Sequence, residues 1–191
     1  MRLITIIPCL LLTSLLLQGC APMLVAGAAA GVSLANDRRS PGTIVDDQGI
    51  ESQLQRKFRD DSALATDTHL SVVSFNHILL LTGQVRDQQQ RTRAAELAKN
   101  IPNIKRVHNE IQVGAVTSIH DRGQDSWLTA KVKNALATHS SLNALQIKVI
   151  SEKSTVYLMG LVSQAEGRAA ATVAQQVSGT QGIIKVFEYI D

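Results

Sequence analysis

Apolar positions follow three regimes along the chain. Residues 3–17 are an almost unbroken apolar run behind a single cation, Arg2. Residues 21–41 are small, weakly apolar or turn-forming, with no stripe that could bury itself. From residue 46 onward, helical and strand periodicities alternate, and the same series occurs twice. In the first copy Ile50, Leu54 and Phe58 recur every four residues, which predicts one face of a helix. Residues 70–75 and 78–85 are apolar strand candidates joined by a short turn at Asn76-His77. Residues 92–100 are Ala-rich, with Ala94, Leu97, Ala98 and Ile101 on one side, and Pro102-Asn103 ends the helix. Residues 107–113 alternate, placing Val107, Asn109, Ile111 and Val113 on one face of a strand.

The second copy predicts the same elements at 126–138, 147–151, 155–162, 166–177 and 183–190. Gly83 in His77-Ile78-Leu79-Leu80-Leu81-Thr82-Gly83-Gln84-Val85 corresponds to Gly160 in Ser154-Thr155-Val156-Tyr157-Leu158-Met159-Gly160-Leu161-Val162. Leu54 and Phe58 correspond to Val132 and Leu136, and Val107 and Ile111 to Val186 and Ile190. The expected fold is therefore α+β. It has two tandem units in the order αββαβ, each a three-stranded mixed sheet with two helices on one face. Units of about 70 residues can hold a small core without disulfides. The expected division is a leader at 1–19, a tether at 20–45, and folded units at 46–115 and 124–191.

The apolar run at 3–17 is shorter than the roughly 20 residues that span a bilayer, and with Arg2 before it it has the form of a secretory signal. It ends in Leu17-Gln18-Gly19-Cys20, which resembles the bacterial lipobox. That resemblance implies cleavage before Cys20 and acylation of its sulfur, palmitate being a typical acyl group. Gln18 departs from the small or aliphatic residue usual there. Cys9 lies within the leader, so the mature chain keeps one cysteine, for which acylation accounts. Several buried acyl chains, at about 0.8 kcal/mol per methylene, anchor durably where one would not. Ala21, where inner-membrane lipoproteins tend to carry aspartate, implies by the same resemblance a lipid anchor in the outer membrane, on its periplasmic face. For the tether two readings stand: a flexible linker, or a short Ala-rich helix lying at the interface.

The amphipathic helix, the hairpin ending in Leu-Thr-Gly-Gln-Val or Leu-Met-Gly-Leu-Val, the Ala-rich helix and the closing Val-X-Asn-Glu-Ile strand together resemble the BON domain. Two such units behind a lipobox resemble the dual-BON outer-membrane lipoproteins. The resemblance covers residues 46–191 and the leader. It implies a bacterial envelope protein that associates with phospholipid and supports the permeability barrier. The family has no catalytic motif, so what carries over is binding and not a reaction.

Candidate chemistry is correspondingly sparse. His69, His77, His108, His120 and His139 are scattered without metal-ligand spacing, so neither a metal nor a cofactor is expected. Asp46-Asp47 and Asp60-Asp61 are neighbours that point in different directions, which suits helix ends better than acid–base pairs. Ser118, Ser126 and Ser140 lack the setting of a nucleophile, and no enzyme activity is expected. A net charge of +3, with 19 basic and 16 acidic residues, gives no reason to expect a nucleic-acid partner.

Aromatics are only 3% of the chain, which makes the single tryptophan informative. With a helix capped by Asp125 or Ser126, the buried stripe is Leu128, Val132, Ala135 and Leu136, and Trp127 falls more than about 90° from its centre. It shares its side with Lys131, Asn134 and Thr138, and the first copy has Gly49 there. A tryptophan beside a lysine on a polar helix face is what a bilayer interface favours. The expected membrane-contact set is Trp127, Leu128, Lys131, Asn134 and Thr138, with Lys133 as a flanking charge and anionic phospholipid as the partner. Two other readings stand. Trp127 could pack against the other repeat or the linker, or it could be a hot spot for proteins of outer-membrane assembly or cell division.

Overall fold

The computed structural model describes residues 37–191; the expected leader, Cys20 and the tether up to residue 36 lie outside the described residues. The first helix, α1, spans Pro41–Asp60 and buries Ile50, Leu54 and Phe58. Ser40 caps it, its hydroxyl accepting from the Thr43 N–H at 3.1 Å, and Pro41 takes the first helical position. The tether expected to run to residue 45 therefore ends earlier. Ser40-Pro41 is a helix start and not a turn. Next come β1 (His69–Phe75), β2 (Ile78–Val85), α2 (Gln88–Lys99), β3 (Arg106–Asn109) and β4 (Gln112–Val113). The second unit comprises α3 (Ile119–Thr138), β5 (Ile147–Glu152), β6 (Thr155–Val162), α4 (Gln164–Gln175) and β7 (Gly182–Tyr189).

Each sheet has the same order. β1 runs antiparallel to β2, and β3 and β4 run parallel to β2. β6 is likewise central between antiparallel β5 and parallel β7. The closing strand of the first copy is broken where an unbroken strand over 107–113 was expected. The Asn109 side chain accepts the Ile111 N–H at 3.2 Å, a local bond that competes with the ladder, while Ile111 itself is buried. The second copy has no such asparagine, and β7 is continuous.

Both hairpins turn on two residues with left-handed backbone, Asn76-His77 and Lys153-Ser154, the geometry of the tight primed turns. In each unit an aspartate on the first helix accepts both turn N–H groups. Asp47 takes those of Asn76 and His77 at 2.8 and 2.9 Å, and Asp125 takes those of Lys153 and Ser154 at 2.8 and 2.9 Å. This corrects two expectations. Asp46-Asp47 lie inside α1, not at its end. Nor does Asp125 or Ser126 cap α3, which starts at Ile119 behind a capping box of Ser118 and Asp121. Asp60 and Asp61 do close α1 as expected.

Each unit has its own core between sheet and helices. Ile50, Leu54, Phe58, Leu79 and Leu81 anchor the first, and Leu128, Val132, Leu136, Val156 and Leu158 the second. A third cluster joins the units. Phe75, Ile78 and Leu80 from the first sheet meet Tyr157, Met159, Leu161 and Val186 from the second. The sheets thus cover each other's free faces, and β2 is buried along its whole length. Burial pushes the Tyr157 hydroxyl up to about 12, helped by the charges of Glu110 and Glu152.

Polar contacts frame this seam. The Gln84 amide donates to Glu152 at 2.6 Å, and its oxygen accepts from the Thr117 N–H and hydroxyl at 3.1 and 2.9 Å. Lys148 donates to Glu51 at 2.9 Å, and Asn76 to Glu188 at 2.7 Å. Arg38, just ahead of α1, reaches the second unit instead. Its guanidinium donates to both Glu166 oxygens at 2.8 Å and to the Leu161 carbonyl at 2.7 Å.

Gly83 lies opposite Leu70 and Gly160 opposite Ile147 in the two registers. A Cβ at Gly83 would strike the His69 carbonyl and one at Gly160 the Gln146 carbonyl, and Gly83 also has φ +113°. Gly83→Ala and Gly160→Ala should each cost on the order of 2 kcal/mol in chemical denaturation, with Gly83→Ala the worse. Hydrogen bonds from Arg38, outweighing burial, hold Glu166 down at about 2 against an ordinary 4.5. For Asp47, burial acts upward, but bonds from Ser74, His77, Arg39 and Asn76 together hold it below 3.8. A depressed carboxylate stabilises fully above its unfolded value and loses that contribution as pH falls toward its folded value. Folding stability should therefore decline from about pH 4.5 toward pH 2, and Glu166→Gln should flatten the decline in denaturation curves taken across that range.

Candidate functional site

α3 is held from one side only. Leu128, Val132 and Leu136 enter the core, and Asp125 clasps the β5–β6 hairpin. The Thr129 hydroxyl donates to that of Ser151 at 2.9 Å, and the Lys131 ammonium donates to the Ser178 carbonyl. The capping box and the Gln84–Thr117 bonds fix its N-terminus. Its other side faces outward.

At about 100° per residue, Ile119, Gly123, Trp127, Ala130, Asn134 and Ala137 fall within an arc of roughly 80° on that outer side. All six are exposed, Ile119 at 81% and Trp127 at 67%. None carries a charge. The flanks are basic, with exposed Lys133 and half-buried Arg122 on one side and half-buried Lys131 on the other. The strip is thus uncharged, holds two bulky apolar side chains, and is edged by cations.

Of the residues expected from sequence, Trp127, Asn134 and Thr138 lie on or beside the strip and Lys133 and Lys131 on its borders. Lys131 is partly committed to Ser178, and the Thr138 hydroxyl is turned back onto the Asn134 and Ala135 carbonyls at 3.1 Å each. Leu128 does not belong. It is 3% exposed and part of the core, one residue and about 100° from Trp127, and it cannot touch an external surface. Trp127 does not pack against the other repeat, being 67% exposed; the expected linker up to residue 36, the other cover considered for it, lies outside the described residues.

Ile119 was missed. Starting the helix at Ser126 left it in the linker, although Ser118-X-X-Asp121 announces the true start. In the first unit, Gly49 occupies the position of Trp127 and Val45, 66% exposed, that of Gly123. α1 therefore lacks an aromatic at this face. Among the described residues no group of three or more His, Cys, Asp or Glu could hold a metal ion, and no helix is long and apolar enough to cross a membrane.

The family model for the BON domain matches residues 46–115 and 124–191. The chain is 35% identical over 182 residues to the outer membrane lipoprotein DolP of Haemophilus influenzae, covering 95% of this chain and 94% of that protein. It is 34% identical over 154 residues to the 21 kDa hemolysin of Actinobacillus pleuropneumoniae, covering 81% and 79% respectively. To the osmotically-inducible protein Y of Escherichia coli it is 25% identical over 159 residues, covering 81% and 78%.

The exposure of Trp127 has a direct check. Without lipid, its fluorescence should be that of a solvated indole, and aqueous acrylamide should quench it nearly as fast in the folded protein as in denaturant. A blue-shifted, protected emission would mean the ring is covered.

Proposed function

Because the chain belongs to the BON-domain family, we propose that it is an outer-membrane lipoprotein whose second BON domain binds anionic phospholipid through the outer face of α3, and so supports envelope integrity. The observation that carries this reading is the uncharged, Trp-bearing strip with cations of one sign along both borders. An indole settles at headgroup depth, and each cation near an anionic leaflet contributes about 1 kcal/mol. A hot spot for protein would more typically be ringed by mixed polar groups that pair with a patterned partner. Arg122 and Lys133 on one border, with Lys131 on the other, suit a phosphate surface better.

The lipobox and the DolP relationship support an acyl anchor at Cys20 and an outer-membrane address. In this reading the anchor holds the protein at the membrane and raises the effective concentration of α3 there, so that a weak second contact suffices. The exposed-Trp face belongs to the second domain alone, because Gly49 leaves the first without an equivalent.

The test uses the mature chain with Cys20→Ala, so that acylation does not mask the contact. Trp127→Glu should weaken co-sedimentation with phosphatidylglycerol-containing vesicles by about tenfold or more, while far-UV circular dichroism stays unchanged. Equal co-sedimentation of parent and variant would overturn the lipid reading and favour a role in docking proteins of outer-membrane assembly or division.

A further inference from the structure

The outer strip of α3 is unusual in what it omits. Only Ile119 and Trp127 are large; Gly123, Ala130 and Ala137 are small, and Asn134 and the neighbouring Ser126 and Thr138 are polar without charge. The cationic border is short and partly engaged. Lys131 donates to Ser178, Arg122 reaches the Thr117 carbonyl at 3.4 Å, and Lys133 is the exposed one. Asp121 and Asp125 on the same helix offset part of that charge. Coulombic attraction to an anionic leaflet is therefore modest, and insertion of two side chains must supply much of the binding.

Those two side chains are rigidly spaced. Eight residues of helix put Ile119 and Trp127 about 12 Å apart along the axis. The capping box fixes the first turn and the core fixes the rest. The helix exists before it meets lipid, so its binding reflects insertion and not coupled folding. In a tightly packed leaflet, two isolated bulky groups must part the headgroups to enter. Where headgroups are already spread, by curvature or by loosely packed lipids, the same groups enter without that cost. The small residues between them let the helix backbone settle close to the surface.

We propose that the outer face of α3 is a lipid-packing sensor, with Ile119 and Trp127 as paired inserts that favour curved or loosely packed leaflets over flat, tightly packed ones of identical charge. This rests on the reading of α3 as the membrane contact and adds a selectivity that charge alone would not give.

The experiment compares vesicles of one composition, phosphatidylethanolamine with phosphatidylglycerol at roughly three to one, prepared at about 30 nm and about 200 nm diameter and matched for accessible lipid. The mature Cys20→Ala chain is titrated, with the blue shift of Trp127, the sole tryptophan, as readout. Binding to the small vesicles should be about fivefold tighter, and Ile119→Ala should weaken it severalfold and reduce the preference. Equal affinity for both sizes would overturn the proposal, as would a size preference that Ile119→Ala leaves unchanged. Co-sedimentation of Trp127→Glu separates the two levels. If that variant binds as well as the parent, the membrane reading itself fails. If it loses binding while the parent ignores vesicle size, only the packing inference fails.

Discussion

The packing of one sheet against the other is the constraint on which the rest of the structure depends. Each sheet has one face under its own two helices and the other against its twin, through Phe75, Ile78 and Leu80 on one side and Tyr157, Met159, Leu161 and Val186 on the other. β2 and β6 are buried on both faces for this reason and apolar along most of their length, as central strands covered on two sides usually are. Neither sheet could face water without exposing several of these side chains, at about 25 cal/mol per Å² of apolar surface. Once both faces of the second sheet are taken, the inner side of α3 is fixed against it and the outer side is left for something else. The position of Trp127 follows from a seam on the far side of its own sheet.

Much of this was legible in the sequence, and the failures have identifiable causes. The repeat, the order of elements and the matched glycines could be read because both copies bury the same stripes and meet the same close approach, at Gly83 and Gly160. The continuous apolar runs Ile78–Leu81 and Val156–Met159 were legible as strands. What covers the second face is a long-range fact that local periodicity does not carry. The cap of α3 was misplaced because Asp125 is an acceptable cap type, yet its carboxylate is used by the hairpin turn. Asp47 shows the same economy in the first unit. Those two aspartates are recognisable only once the left-handed turns they face are known.

The candidate site shows the same division. Trp127 stood out because tryptophan is rare here and fell off the predicted stripe. Leu128 stood both in the predicted buried stripe and in the expected contact set, and its burial keeps it in the first alone. Ile119 was lost with the wrong helix start. The two units share a scaffold and differ where Gly49 faces solvent in one and Trp127 in the other. The scaffold is set by packing, whereas a surface position can change at little cost to the fold. Arg38 adds a link of another kind, tying the segment ahead of the first domain to Glu166 of the second, so the two domains are joined at both ends of α1's unit.

In the proposed reading the outer face of α3 is the surface that meets lipid. Amide NMR of the mature Cys20→Ala protein on phosphatidylglycerol-containing bicelles doped with spin-labelled lipid reads this residue by residue. Line broadening should be confined to the outer positions of α3, strongest from Ile119 to Ala130, with Val45 and Gly49 on α1 unaffected. Broadening centred on α1, or spread evenly over both domains, would contradict it.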